Sequence, residues 1–266
     1  ISFYKDNFYS DKNNGNFIDL DFGYLRDLST IDMHIRYTFL KLCLDIEHGI
    51  KTYILAYFNK KDPTEGYSIV DRYIQSQYDQ SGNSRSPKEF KLKLLEYAKL
   101  KSHHLNQLYY DIENDLKTNI NIWELIECVS LNKLIEFFIF FKKAEIDKKE
   151  NTSYKGILYA FRHIRNICAH NSPFLIDLKK TSRRNNILKE RVDSKIDISN
   201  QRISDISSLF YLHEELIQSQ GIRDNRRDEL LNLVERINRN TDFYHHSNVK
   251  KIFDNMNNLV DILFNK

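Results

Sequence analysis

Arg165 and His170, separated by four residues and with Asn166 directly after the arginine, are the residues of this chain best suited to chemistry. An imidazole can take up or release a proton near neutral pH. A guanidinium can bind the extra negative charge of a phosphorane through its planar donors. Held together, the two groups can break a phosphodiester of RNA without a metal, and Asn166 can orient either partner by hydrogen bonding. Leu158, Phe161, Ile164, Ile167 and Cys168 recur around them at steps of three and four, which predicts an amphipathic helix over Tyr154 to Asn171. Asn171 and Pro173 predict its end: asparagine tolerates a left-handed cap, and proline disfavours helical dihedrals in the residue before it. His170 is therefore expected at a helix C-terminus, where the carbonyl end attracts positive charge.

Helical geometry limits how these groups can meet. Positions five apart point about 140° from each other at 3.6 residues per turn. Either the last turn unwinds after Arg165 or a second copy of the chain completes the site, and both are expected here, in a symmetric homodimer.

The elements that must position this segment are read as helices. Glycine (7) and proline (3) are scarce among 266 residues, which predicts an all-α protein. It is read as one α-helical domain, with an N-terminal arm over 1–23, a core over 25–175, and a basic segment with C-terminal helices over 176–266. A net charge of +3 creates no global basic field, so nucleic-acid binding has to come from local patches. Cys43, Cys128 and Cys168 are far apart in apolar contexts, as expected of reduced core thiols in a cytoplasmic protein. No apolar run approaches ~18 residues, so no membrane span is expected. Ile1 in place of an initiating Met leaves open whether residues precede it.

Along the chain, the arm is expected to dock through Phe17, Phe22 or Tyr24. Asp19 and Asp21 form an Asp-x-Asp pair and are read as surface acids. The strongest helix is predicted over Leu25–Phe58, where an apolar stripe runs from Leu28 to Ile54. On its polar edge, Asp32 with Arg36 and Glu47 with Lys51 have the four-residue spacing of solvated ion pairs. Glu47 and His48 are supporting candidates for orienting the catalytic groups. A helix is expected over Ile69–Tyr78, a polar loop over Gln75–Pro87, and another helix from Pro87 to Leu105 with a basic flank. His103 and His104, adjacent in sequence, face different sides of such a helix and are read as surface histidines. The helix opening at Ile122 is expected to continue past Ser130 to Lys142. Its run Phe137–Phe141 is apolar on every side, which predicts a buried centre or an oligomer interface.

Lys179, Lys180, Arg183, Arg184, Lys189 and Arg191, together with Lys195, form the most basic window of the chain. Their place just after His170 makes them candidates for tracking an RNA backbone. Further helices near Ser204–Gln218, Arg226–Arg239 and Ser247–Phe264 are read as a wrap without chemistry of their own. Arg239-Asn240 followed by His245 and His246 repeats the arginine–histidine pattern, but in a stretch that reads as a turn. No Walker-type glycine loop, His-Glu-x-x-His, Cys-x-x-Cys or Gly-x-Ser-x-Gly occurs, so neither metal nor cofactor is expected.

The stretch Arg165-Asn166-Ile167-Cys168-Ala169-His170 resembles the Arg-x(4–6)-His signature of the HEPN superfamily of helical ribonucleases. Four blocks resemble its Abi-like (abortive infection, Abi_2) branch, in that family's order: 28–32, 45–52, 122–127 and 162–171. The resemblance implies a HEPN-type helical bundle and a metal-independent endoribonuclease acting as a toxin or antiphage effector. It also implies that a small structured noncoding RNA could neutralise it. Arg165, Asn166 and His170 match the motif directly, whereas Glu47 and His48 match only as part of a block. The rival readings are a non-catalytic helical scaffold that holds a structured RNA, and a protein-interaction module built on Phe137–Phe141.

Overall fold

Nine apolar residues of the predicted stripe, Leu28, Ile31, Ile35, Phe39, Leu42, Cys43, Ile46, Ile50 and Ile54, are fully buried on one face of α1 (Phe22–Phe58). Burying such a side chain contributes about 1.5–3 kcal/mol. At its start the Asp21 carboxylate accepts a hydrogen bond from Gly23 N at 2.5 Å. The computed structural model describes residues 2–11, 15–18, 20–61, 64–80, 86–100, 103–147, 151–192 and 195–264. Asp19, and with it the Asp-x-Asp pair as a unit, lies outside these, as do the side chains of His103 and His104.

Among the described residues the chain is all-helical, with three isolated β-bridges and no strand. It divides into two compact units, Ile1–Ile46 with Thr152–Lys266, and Glu47–Asn151. The second holds α2 (Glu65–Gln80), α3 (Pro87–Leu94), α4 (His103–Glu113), α5 (Ile122–Cys128) and α6 (Leu131–Phe141). Here the structure corrects several predicted boundaries. The residues from Gln75 to Gln80 are helical rather than loop. The helix expected from Pro87 to Leu105 stops at Leu94, because Ala98 N bonds Leu95 O and winds the next turn as a 3-10 segment, Glu96–Leu100. The helix expected to continue through Ser130 breaks there. Val129 is extended, and the Ser130 side chain accepts from Lys133 N as the cap of a new helix. Phe137, Phe138 and Phe141 are fully buried at the centre of this unit, with Tyr53, Tyr57 and Tyr73 packed edge-on against them.

The first unit contains α7 (Thr152–Ala169), α8 (Asn186–Arg191), α9 (Gln201–Leu216), α10 (Gln220–Asn238) and α11 (Asn248–Phe264). α9 is its central element, packed against α7 on one side and α11 on another. It is therefore core rather than a peripheral wrap, and Arg202, Asp205 and His213 on it are all buried. Of the rings expected to dock the arm, Tyr24 alone is packed, and Tyr4 and Phe8 do the rest. Tyr4 and Phe8 are buried whereas Phe17 and Phe22 are exposed, and Tyr24 stacks on Phe243 with centroids 4.3 Å apart. Cys43, Cys128 and Cys168 are buried and none is in a disulfide. No described helix is long and apolar enough to cross a membrane.

Candidate active site

The helix that carries the motif buries Tyr154, Ile157, Leu158, Phe161, Ile164 and Cys168 and packs against α9. Its opposite face exposes Tyr159, His163, Asn166 and His170. The helix stays regular to its end: His170 N bonds Asn166 O at 3.0 Å, so the expected unwinding after Arg165 does not occur. The chain then turns through Asn171, whose φ of +53° is the left-handed conformation foreseen for it. Ser172 N reaches back to Ile167 O at 2.9 Å and Asn171 N to Cys168 O at 3.3 Å, which closes the helix in a Schellman cap. His170 is exposed at this cap, with Asn166 one turn before it on the same face.

Arg165 lies about 100° around the helix from Asn166. It is half-buried, and its Nε is enclosed without a hydrogen-bond partner. An enclosed N–H donor without an acceptor is costly.

What holds the cap is the Asp32–Arg36 pair, and here the sequence reading is corrected. The pair lies under the end of α7, not on a solvated face, with Asp32 0% and Arg36 8% exposed. Arg36 Nε lies 2.9 Å from Asp32 Oδ2. Arg36 Nη1 donates to Asn171 O at 2.8 Å and to Asn171 Oδ1. Asp32 Oδ1 accepts from Phe174 N at 2.9 Å and Leu175 N at 2.5 Å. Burial pushes the Asp32 carboxyl above the usual carboxylate range, against the opposing pull of Leu175 N–H and the Arg36 guanidinium. Neighbours extend the clasp: Asn7 Nδ2 donates to Leu175 O at 2.7 Å, and the Arg202 guanidinium lies 4.4 Å from the Phe174 ring centroid. Asn200 Nδ2 donates to Leu178 O at 2.6 Å, and Gln201 N to Lys180 O at 2.9 Å.

This scaffold fixes the start of the basic segment. Lys179, Lys180, Arg183, Arg184, Lys189 and Arg191 are all exposed. Of the six, Lys180 alone makes an ion pair among the described residues, with Asp177 at 2.7 Å. The segment is not one helix. It runs extended through a bridge between Thr181 and Asn200 and then forms the short α8, capped by Asn185.

Glu47 and His48 belong to the second unit, where His48 Nε2 lies 3.3 Å from Thr52 Oγ1. Lys51 pairs with Glu127 at 3.1 Å rather than with Glu47. The second arginine–histidine pattern falls on a 3-10 turn, Thr241–Tyr244, with His245 Nε2 3.0 Å from Asp242 Oδ1. Among the described residues no group of three or more His, Cys, Asp or Glu side chains is arranged to hold a metal ion. Sequence reasoning missed Asn7, Asn200 and Arg202 as supports of the site. Asn200 could have been found as the N-cap of α9, where its Oδ1 accepts from Arg202 N and Ile203 N.

An all-helical chain with an arginine–asparagine–histidine motif at a braced helix end defines the class. The chain belongs to the Abi-like protein family, whose model matches residues 1–175. Membership suggests a role in abortive infection. No curated protein and no solved structure gives a significant match to the chain.

Proposed function

We propose that this Abi-like protein is a metal-independent endoribonuclease of the HEPN type, acting as an abortive-infection toxin on RNA. The observation that carries this reading is the buried Asp32–Arg36 clasp. Its main-chain hydrogen bonds outside α1 go to residues 171, 174 and 175, immediately after His170. A buried ion pair is a weak source of stability, since an apolar pair of similar volume often serves as well. Its use here is to hold the histidine-bearing cap in one place.

In the proposed reaction His170 removes the proton of a ribose 2′-hydroxyl, and that oxygen attacks the adjacent phosphorus. Arg165 takes up the charge of the phosphorane, and the 5′-oxygen leaves with a proton from a second imidazole. In a twofold homodimer that imidazole is the same histidine of the other copy, which also overcomes the angular separation of Arg165 and His170 on one helix. The nucleophile is internal to RNA and the charge is met by a guanidinium, so no metal is required. Asn166 orients the imidazole or the phosphate. The exposed cations of the basic segment suit the substrate, or a small structured noncoding RNA that restrains the toxin.

Products should end in 2′,3′-cyclic phosphate and 5′-hydroxyl, with cleavage surviving EDTA. His170→Ala should lower the rate by roughly 10²–10⁴-fold. Full activity of that variant, or loss of wild-type cleavage in EDTA, would overturn the proposal. The exposed, unpaired cations equally suit a non-catalytic RNA-holding protein, which would show salt-dependent RNA binding without strand scission.

A further inference from the structure

The exposed face of α7 carries more than the motif. Tyr159, His163, Asn166 and His170 follow one another at steps of four, three and four, and so lie within about 60° of one another around the helix. Tyr159 is 36% exposed, a large ring turned to solvent with no apolar neighbour needed to explain it. The Arg162 guanidinium sits 4.8 Å from its ring centroid, and Lys155 Nζ approaches the same ring at 5.9 Å. Arg162 makes no ion pair among the described residues.

The basic segment joins this face at its far end. Asn185 Nδ2 donates to Ser153 O at 2.8 Å, and a methyl group at Gly156 would lie 3.5 Å from the same nitrogen. Arg183 and Arg184, exposed and unpaired, immediately precede that contact. Cations thus flank the start of α7 at Arg183 and Arg184 and meet Tyr159 at Arg162, with Asn166 and His170 further along the same face. Along the helix axis Tyr159 stands about 16 Å from His170, a span of a few nucleotides. An aromatic ring within a track of cations is the arrangement that holds single strands, with the ring stacking on a base and the cations meeting phosphates.

We propose that Tyr159 and Arg162 seat single-stranded RNA along the exposed face of α7, Tyr159 by stacking on a base and Arg162 by holding a neighbouring phosphate. The inference rests on the ribonuclease reading for the identity of the strand. It is tested by binding alone, so that the two can fail separately. In a His170→Ala background, the affinity for a short fluorescent oligoribonucleotide should fall about tenfold or more on Tyr159→Ala and stay near the parent value with Tyr159→Phe or Tyr159→Trp. An oligonucleotide with abasic sites should bind the parent more weakly and lose little further on Tyr159→Ala. Arg162→Gln should lower the salt dependence of binding by close to one phosphate contact. Weakened binding by Tyr159→Ala supports the strand path even if the wild type cuts nothing. Unchanged affinity in Tyr159→Ala overturns it. So does a change of oligomeric state in that variant, which would make this face a contact between copies.

Discussion

Removing one partner of the clasp beneath His170 should be about as damaging as removing both. In Asp32→Asn the amide oxygen can still accept from Phe174 N and Leu175 N. Its amide nitrogen, however, presents hydrogens to Arg36 Nε, and a guanidinium only 8% exposed loses its counter-charge. Breaking a buried pair in this way costs about 3–5 kcal/mol. In a unit of this size that lowers Tm by roughly 6–20 °C. Arg36→Met leaves a fully buried carboxyl whose pKa burial already raises. A folded-state pKa above the unfolded one means stability is lost as pH rises, so the deficit of Arg36→Met should shrink as pH falls. Asp32→Leu with Arg36→Met removes both charges and should recover the part of the loss that comes from leaving one of them unpaired. Recovery stays incomplete because Phe174 N and Leu175 N lose their acceptor, at about 1–3 kcal/mol each. Cleavage should stay low in the double variant, since the clasp's bonds to residues 171, 174 and 175 are then gone. Thermal unfolding by circular dichroism and RNA cleavage, measured on wild type, Asp32→Leu, Arg36→Met and the double variant, complete the cycle, with Asp32→Asn measured beside them. Single variants within about 0.5 kcal/mol of wild type, or a double variant that regains both stability and cleavage, would refute the reasoning.

Two further outcomes are expected. His213 is fully buried 3.3 Å from Asp45 Oδ2, and burial pushes its pKa down to about 4, helped by the Arg226 and Arg223 charges and opposed by Asp45. The folded chain therefore refuses a proton that the unfolded chain accepts. Stability should be full above about pH 6.5 and decline by on the order of 3 kcal/mol as pH falls towards about 4. Denaturant midpoints should trace that decline between pH 7 and 5, and His213→Gln should flatten it; an equal slope in the variant would contradict the assignment. Arg183→Glu with Arg184→Glu should leave Tm unchanged, because both side chains are exposed and unpaired. It should reduce the slope of log affinity for single-stranded RNA against log salt by roughly 1.4, and an unaltered slope would remove the basic segment from the binding surface.

The sequence by itself determined the helical class, the long apolar stripe of α1, the helix bearing Arg165 and His170 and its stop at Asn171, and the approximate places of the last three helices. These features are encoded within a turn or two. An apolar period of three and four selects a helix face, and a residue that tolerates left-handed backbone ends it whatever lies far away. The breaks at Leu95 and Ser130 escaped because apolar periodicity runs through both, and only local bonds, from Ala98 N to Leu95 O and from Lys133 N to Ser130 Oγ, decide them. The site's support was illegible for a different reason. Asp32 and Arg36 have the same spacing whether they face water or the interior, and it is the arrival of residues 171–175, some 140 positions later, that buries them. His213 looks like any helical histidine until Asp45 and Arg226 close over it. Whether a charged group is solvated or enclosed depends on partners distant in sequence, and only the tertiary structure brings those partners into contact.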